Sequence, residues 1–93
     1  LVAAEQRDQR EAAAFHLERG KRFFEGERDE EAIAELRRTV FLAPYETAAH
    51  LLLAKIYMRN GRPEDAINAL KIAVWSDPAN TEAKELLARL APK

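Results

Sequence analysis

The sequence predicts an all-α fold of five helices arranged as helix-turn-helix hairpins, and three observations predict it. Apolar residues recur with helical periodicity through almost the whole chain, and the strict alternation a half-buried strand needs occurs nowhere. Glycine, asparagine and proline fall in short breaks between the periodic stretches. Finally, VFLAPYETAAHLLLA (residues 40–54) is echoed by VWSDPANTEAKELLA (residues 74–88), with Val, Pro, Ala, Leu, Leu and Ala recurring 34 residues apart. A fixed period of that kind marks one supersecondary unit written more than once.

Each element has its own chemical reason. The first helix is expected from about Ala3 to Glu25; its opening residues LVAAEQRDQRE prolong it by roughly three turns as a polar, solvated spacer. Leu1 and Val2 read as remnants of a preceding element. Gly26 should end this helix by accepting positive φ. The second helix, Asp29 to Leu42, opens on Asp29, Glu30 and Glu31, where the macrodipole favours negative charge, and Pro44 closes it. The third, Thr47 to Arg59, ends at Asn60-Gly61. The fourth begins with Pro63, suited to a first helical turn, and Pro78 closes it after Ser76. The fifth, Thr81 to Ala91, sets Leu86, Leu87 and Leu90 on one face and Glu82, Lys84, Glu85 and Arg89 on the others, the pattern of a solvating cap. Gly20, Ala54, Ala32, Ala66 and Ala73 are small where paired helices must cross closely, and Phe23, Tyr57, Leu36 and Leu70 fill the space beside them.

Composition narrows the function classes. Ninety-three residues suit one domain, burying roughly two thirds of the unfolded surface, which leaves little room for a deep cavity. A net charge of −1 supplies no overall field to hold nucleic acid. With no cysteine, disulfides and thiol chemistry are excluded. Apolar runs are too short to span a bilayer. There is neither an initiating Met nor a signal-peptide pattern, so the chain reads as a piece of a longer, bacterial-looking protein, with the cytoplasm favoured as its compartment. No serine elbow, glycine-rich phosphate loop or His-Glu metal motif is present, so no enzyme activity and no cofactor are expected. Asp29, Glu30 and Glu31 are consecutive on a helix and point apart, which suits helix-start charge better than acid–base work. His16 and His50 occupy matching sites, but zinc would need a third and usually a fourth ligand there, so they read as amphipathic fillers and no metal is expected.

The repeated positions form a pattern: His16, Arg19, Gly20, Phe23, Ala32, Leu36 and Pro44, then His50, Leu53, Ala54, Tyr57, Ala66, Leu70 and Pro78, then a truncated Lys84, Leu87, Ala88 and Ala91. This resembles the tetratricopeptide repeat, a 34-residue helix-turn-helix with a large residue, Leu-Gly, Tyr, Ala, Phe and Pro at those spacings. His replaces the usual Trp in both copies, and Arg19 replaces Leu, as suits a face on which no earlier repeat packs. The resemblance implies antiparallel hairpins stacked as a short right-handed α-solenoid. Residues 1–12 extend the first helix, 13–46 and 47–80 are the two repeats, and 81–93 are the capping helix. It also implies a non-catalytic scaffold for protein contacts, whose first helices line a concave groove. The groove would show Leu17, Lys21 and Phe24, then Leu51, Lys55, Met58 and Arg59, then Glu85 and Arg89. Its aliphatic and aromatic anchors with mostly basic charge suit a mildly acidic, amphipathic peptide or partner helix. Leu17 and Leu51 equally suit packing between neighbouring helices.

Phe41 and Trp75 recur late in the second helix of each pair, one turn after Arg37 and Lys71 and near Ile72. One reading is a lone aromatic shielded by its neighbours, with cation–π contact to the basic residue. The other is a second interface for weak homo-oligomerisation, since two complete repeats are fewer than the three usually wanted for stability.

Overall fold

The computed structural model describes residues 2–91 and contains five helices: α1 (Val2–Glu25), α2 (Asp29–Leu42), α3 (Thr47–Arg59), α4 (Pro63–Ser76) and α5 (Thr81–Leu90). Among the described residues there is no strand. The expected boundaries differ from the observed ones by one residue at the start of α1 and one at the end of α5. The reading of Leu1 and Val2 as remnants of an earlier element lies outside the description, Leu1 entirely and Val2 in its side chain. The chain divides between Pro44 and Tyr45 into two compact units, the α1–α2 hairpin and the α3–α4–α5 group.

The turn inside each hairpin is a Schellman closure. At the end of α3, the Gly61 amide donates to the Met58 carbonyl at 3.2 Å and the Arg62 amide to the Tyr57 carbonyl at 2.8 Å, with Gly61 at φ +73°. At the end of α1 the same two bonds run from Glu27 to Phe24 at 3.1 Å and from Arg28 to Phe23 at 2.9 Å. Here the expectation for Gly26 is corrected: the left-handed residue is Glu27, at φ +57°, the position 34 residues before Gly61. Gly26 instead stands where Asn60 stands, with its amide on the Arg22 carbonyl at 3.0 Å. A side chain in the left-handed region costs about 1–2 kcal/mol, partly offset by the chain entropy that glycine loses on folding. Glu27→Gly is therefore expected to stabilise the chain by about 0.5–1 kcal/mol, read as a higher urea midpoint at unchanged slope.

The other ends follow from proline and asparagine. Ala43 and Asp77, each preceding a proline, sit at φ −136°, ψ 83° and φ −144°, ψ 85°, outside the helical region that the proline ring disfavours. The Asn80 side chain accepts from the Ala83 amide at 2.9 Å and caps α5.

Within the first unit, Gly20 is where α1 approaches α2 most demandingly. A Cβ there would lie 2.7 Å from Leu36 Cδ2 and 2.8 Å from Leu36 Cγ. Ala32, Leu36 and Thr39 are fully buried. Thr39 holds the position of Ala73 in the other hairpin, and its hydroxyl donates to the Glu35 carbonyl at 3.0 Å, so burial leaves no polar atom unpaired. Within the second unit, Ala54, Ile56, Ala66, Leu70, Ala73 and Ala83 are likewise fully buried. Thr47 at the start of α3 meets Ser76 at the end of α4, Oγ1 to Oγ 2.7 Å. Ser76 already donates its only hydroxyl proton to the Ala73 carbonyl at 3.0 Å, so Thr47 is the donor between them. That contact, with Arg62 over Tyr57 at the opposite end, makes α3 and α4 antiparallel.

Candidate functional site

The expected groove residues are distributed over both units. On α1, Leu17 is buried, and Lys21 and Phe24 are half-buried one and two turns further along. Lys21 Nζ lies 3.3 Å from Glu18 Oε1. On α3, Leu51 is buried, Lys55 and Met58 are half-buried and Arg59 is exposed, while Arg89 is exposed on α5. Lys55 Nζ lies 2.7 Å from Glu82 Oε2, tying α3 to α5. The exposures of Leu17 (8%) and Leu51 (9%) favour packing as their main task, so the accessible part of each set consists of Lys21 and Phe24, and of Lys55, Met58, Arg59 and Arg89. Both lysines already hold carboxylates, which moderates the basic character expected of them. Such exposed pairs are worth about 0–1 kcal/mol each and can be exchanged for a ligand's carboxylate at small cost.

The second helices carry exposed aromatics. Phe41 is 83% exposed and borders a shallow cavity of about 460 Å³ lined by Ala34, Arg37, Arg38 and Leu42. In the second unit Trp75 is 70% exposed, with Ile72 and Lys71 also exposed. The ring neighbour of Trp75 is Tyr45, at 5.0 Å between centroids and tilted by 49°, rather than the Lys71 ammonium that the sequence nominates.

Two arrangements escaped sequence reasoning. The first recurs at the 34-residue period. Arg28 lies 5.3 Å from the Phe23 ring centroid and pairs with Glu31; Arg62 lies 5.0 Å from the Tyr57 ring and its Nη2 is 2.7 Å from Asp65 Oδ2. Each arginine stands between the last turn of one helix and the first turn of the next, bracing the hairpin turn. Applying the period to charged residues as well as apolar ones would have found it.

The second arrangement is built on Glu35. His16 Nδ1 is 2.7 Å from Glu35 Oε1, and Arg19 Nε donates to Glu35 Oε2 at 3.0 Å. An ionised carboxylate only accepts, so Nδ1 is the protonated nitrogen of His16. Both departures from the family pattern in the first repeat therefore serve one α2 carboxylate. Hydrogen bonding from His16 is the main cause that holds Glu35 below its ordinary pKa of 4.5; burial opposes it, and the bond and charge of Arg19 reinforce it. A depressed carboxylate stabilises the fold above its unfolded pKa and loses that contribution as pH falls through the folded value. Acid titration of the parent and of Glu35→Gln, followed by circular dichroism, should show the parent losing an advantage only below about pH 4.5, with the variant flatter across that range.

His50 is buried, as a filler should be. Among the described residues no three His, Cys, Asp or Glu side chains converge as a metal site, and no helix is long and apolar enough to cross a membrane. No curated protein matches the chain. The family model described as Tetratricopeptide repeat matches residues 24–90, more than two thirds of the chain, covering the end of α1 and all of α2 to α5. With small residues at both hairpin crossings and a hairpin turn that repeats at 34 residues, the chain belongs to the tetratricopeptide-repeat family.

Proposed function

We propose that the chain is a non-catalytic scaffold that binds a mildly acidic, amphipathic peptide or partner helix through the first helices of its repeats. Its family serves protein–protein contact in general. The observation that carries the finer reading is the recurrence of a half-buried apolar side chain beside a half-buried lysine at the family's inner positions, Phe24 with Lys21 and Met58 with Lys55. Apolar anchors supply affinity, and the lysines, with Arg59 and Arg89, orient acidic side chains. On this reading residues 13–46 and 47–80 are the repeats, preceded by a spacer over 1–12 and followed by a capping helix over 81–93.

The test is an amide-shift titration of the labelled chain with a synthetic amphipathic peptide carrying leucines and two glutamates. Perturbations should centre on Lys21, Phe24, Lys55 and Met58, and Met58→Ala should weaken binding by about three- to tenfold. Shifts confined to Phe41 and Trp75 would contradict the groove.

A second reading is favoured by the exposure of Phe41 and Trp75: self-association through those faces. Trp75 is the only tryptophan, so a blue shift of its emission with rising concentration, together with a sedimentation coefficient that rises in step, is its expected signature. A monomer at high concentration contradicts it.

A further inference from the structure

The repeat can be compared with itself, position by position at 34 residues, for what covers each side chain. In the second copy Ala49, His50, Leu53, Ile56 and Tyr57 form a stripe along α3, and all are buried. Their counterparts on α1 are Phe15, His16, Arg19, Arg22 and Phe23, and none of these is buried: Phe15, Arg19 and Arg22 are exposed, His16 and Phe23 half-buried. A stripe that is covered in one copy and open in the other is a stripe that takes a covering element.

The substitutions say what kind. Leu53 and Ile56 become Arg19 and Arg22, which with Phe23 line a shallow cavity of about 290 Å³. Ala49 becomes Phe15, which is 56% exposed, lies edge-on to His16 at 5.3 Å and carries the Arg19 guanidinium 5.5 Å from its centroid. Had these changes served only to solvate the end of a stack, polar residues would have sufficed. Placing a large ring where the other copy has a methyl group adds exposed apolar area at the same spot as the added charge. Aromatic anchors beside arginines are the composition of a binding surface, and two arginines in place of two aliphatic residues turn its preference toward carboxylates.

We infer that the Phe15–Arg19–Arg22–Phe23 stripe of α1 docks an acidic amphipathic helix of a partner protein. Apolar side chains of that helix lie against Phe15 and Phe23, and its carboxylates meet Arg22 and the outer edge of Arg19. A protein helix is favoured over nucleic acid because the neighbouring carboxylates Glu18, Glu31 and Glu35 keep the surroundings from becoming a continuous basic field. This surface is distinct from the groove residues, so either can fail alone.

The probe is a fluorescein-labelled synthetic helix of about 16 residues, long enough to hold helical form, with leucines at i, i+3, i+4 and i+7 flanked by glutamates. Its controls are the same peptide with lysine for glutamate and a single-stranded oligouridine. Measured in a Met58→Ala background, which weakens any binding in the groove, the glutamate helix should still bind, with Kd raised about tenfold by Arg22→Glu and several-fold by Phe15→Ala. Both altered side chains are exposed, so the circular dichroism of each variant should match the parent; Arg22→Gln serves in place of the charge reversal should that variant unfold. The inference is overturned by equal binding of the lysine helix, by stronger binding of oligouridine, or by affinity that neither the arginine nor the phenylalanine change alters.

Discussion

Leu36→Ala is expected to destabilise the chain by about 2–5 kcal/mol. A chain of this length has only about 5–14 kcal/mol to lose, so the variant should unfold at a much lower urea concentration. Leu36 is fully buried, and its branched end lies directly over Gly20, where α1 has no Cβ. Truncation removes apolar surface from burial and leaves a void that the two helix backbones cannot close. The same geometry fixes the sign of a second change. In the parent, Gly20→Ala puts a Cβ 2.7 Å from Leu36 Cδ2 and 2.8 Å from Cγ, and a fully buried leucine has no free direction to retreat, so the change should destabilise by about 1–2 kcal/mol despite alanine's better helix propensity. In the Leu36→Ala background the clash is gone, and Gly20→Ala should stabilise by about 0.5–1 kcal/mol. A four-point urea cycle measures the reversal; additive effects would mean that the two side chains do not oppose each other as described.

Ala66→Leu should cost about 1–3 kcal/mol, from the opposite physical cause. Ala66 is fully buried on α4, which packs on α3 and on α5 within the unit, and the sequence pattern puts it among the small side chains at the crossing with α3. Three extra carbons force the helices apart or drive neighbouring side chains off their rotamers. Asn68→Leu places the same leucine side chain at an exposed position of the same helix and should change stability by no more than about 0.5 kcal/mol. Thermal or urea unfolding of the pair separates crowding at the crossing from any general effect of added leucine. Equal losses would show that Ala66 is not at a close contact.

The fold was legible because its determinants are local and repeated. Pro63, Pro44, Pro78 and Asn60-Gly61 punctuate the helices by steric rules that operate within a few residues, and periodicity supplies the rest. Gly26 marks the limit of that kind of reading. Residue type pointed to Gly26 as the left-handed cap, whereas the closure geometry, fixed by bonds to Phe23 and Phe24, places Glu27 there. The period, carried through residue by residue, points to Glu27 because Gly61 stands 34 positions later. Glu35 was illegible for another reason: nothing local distinguishes it from the chain's other acids, and its partners His16 and Arg19 come from a different helix. Once the hairpin is closed, those two departures from the family pattern have a common cause. For the proposed groove residues, spacing alone does not separate Leu17 and Leu51, which the structure buries, from Phe24 and Met58, which it leaves half-buried.

The account rests on one hairpin being built twice from the same contacts, and backbone carbon chemical shifts read residue by residue test that most directly. They should give helical values over residues 29–42 and again over 63–76, with left-handed values at Glu27 and at Gly61, so that the two traces superimpose after displacement by 34 residues. Helical shifts running unbroken through residues 26–28, or extended values within either hairpin's helices, would contradict it.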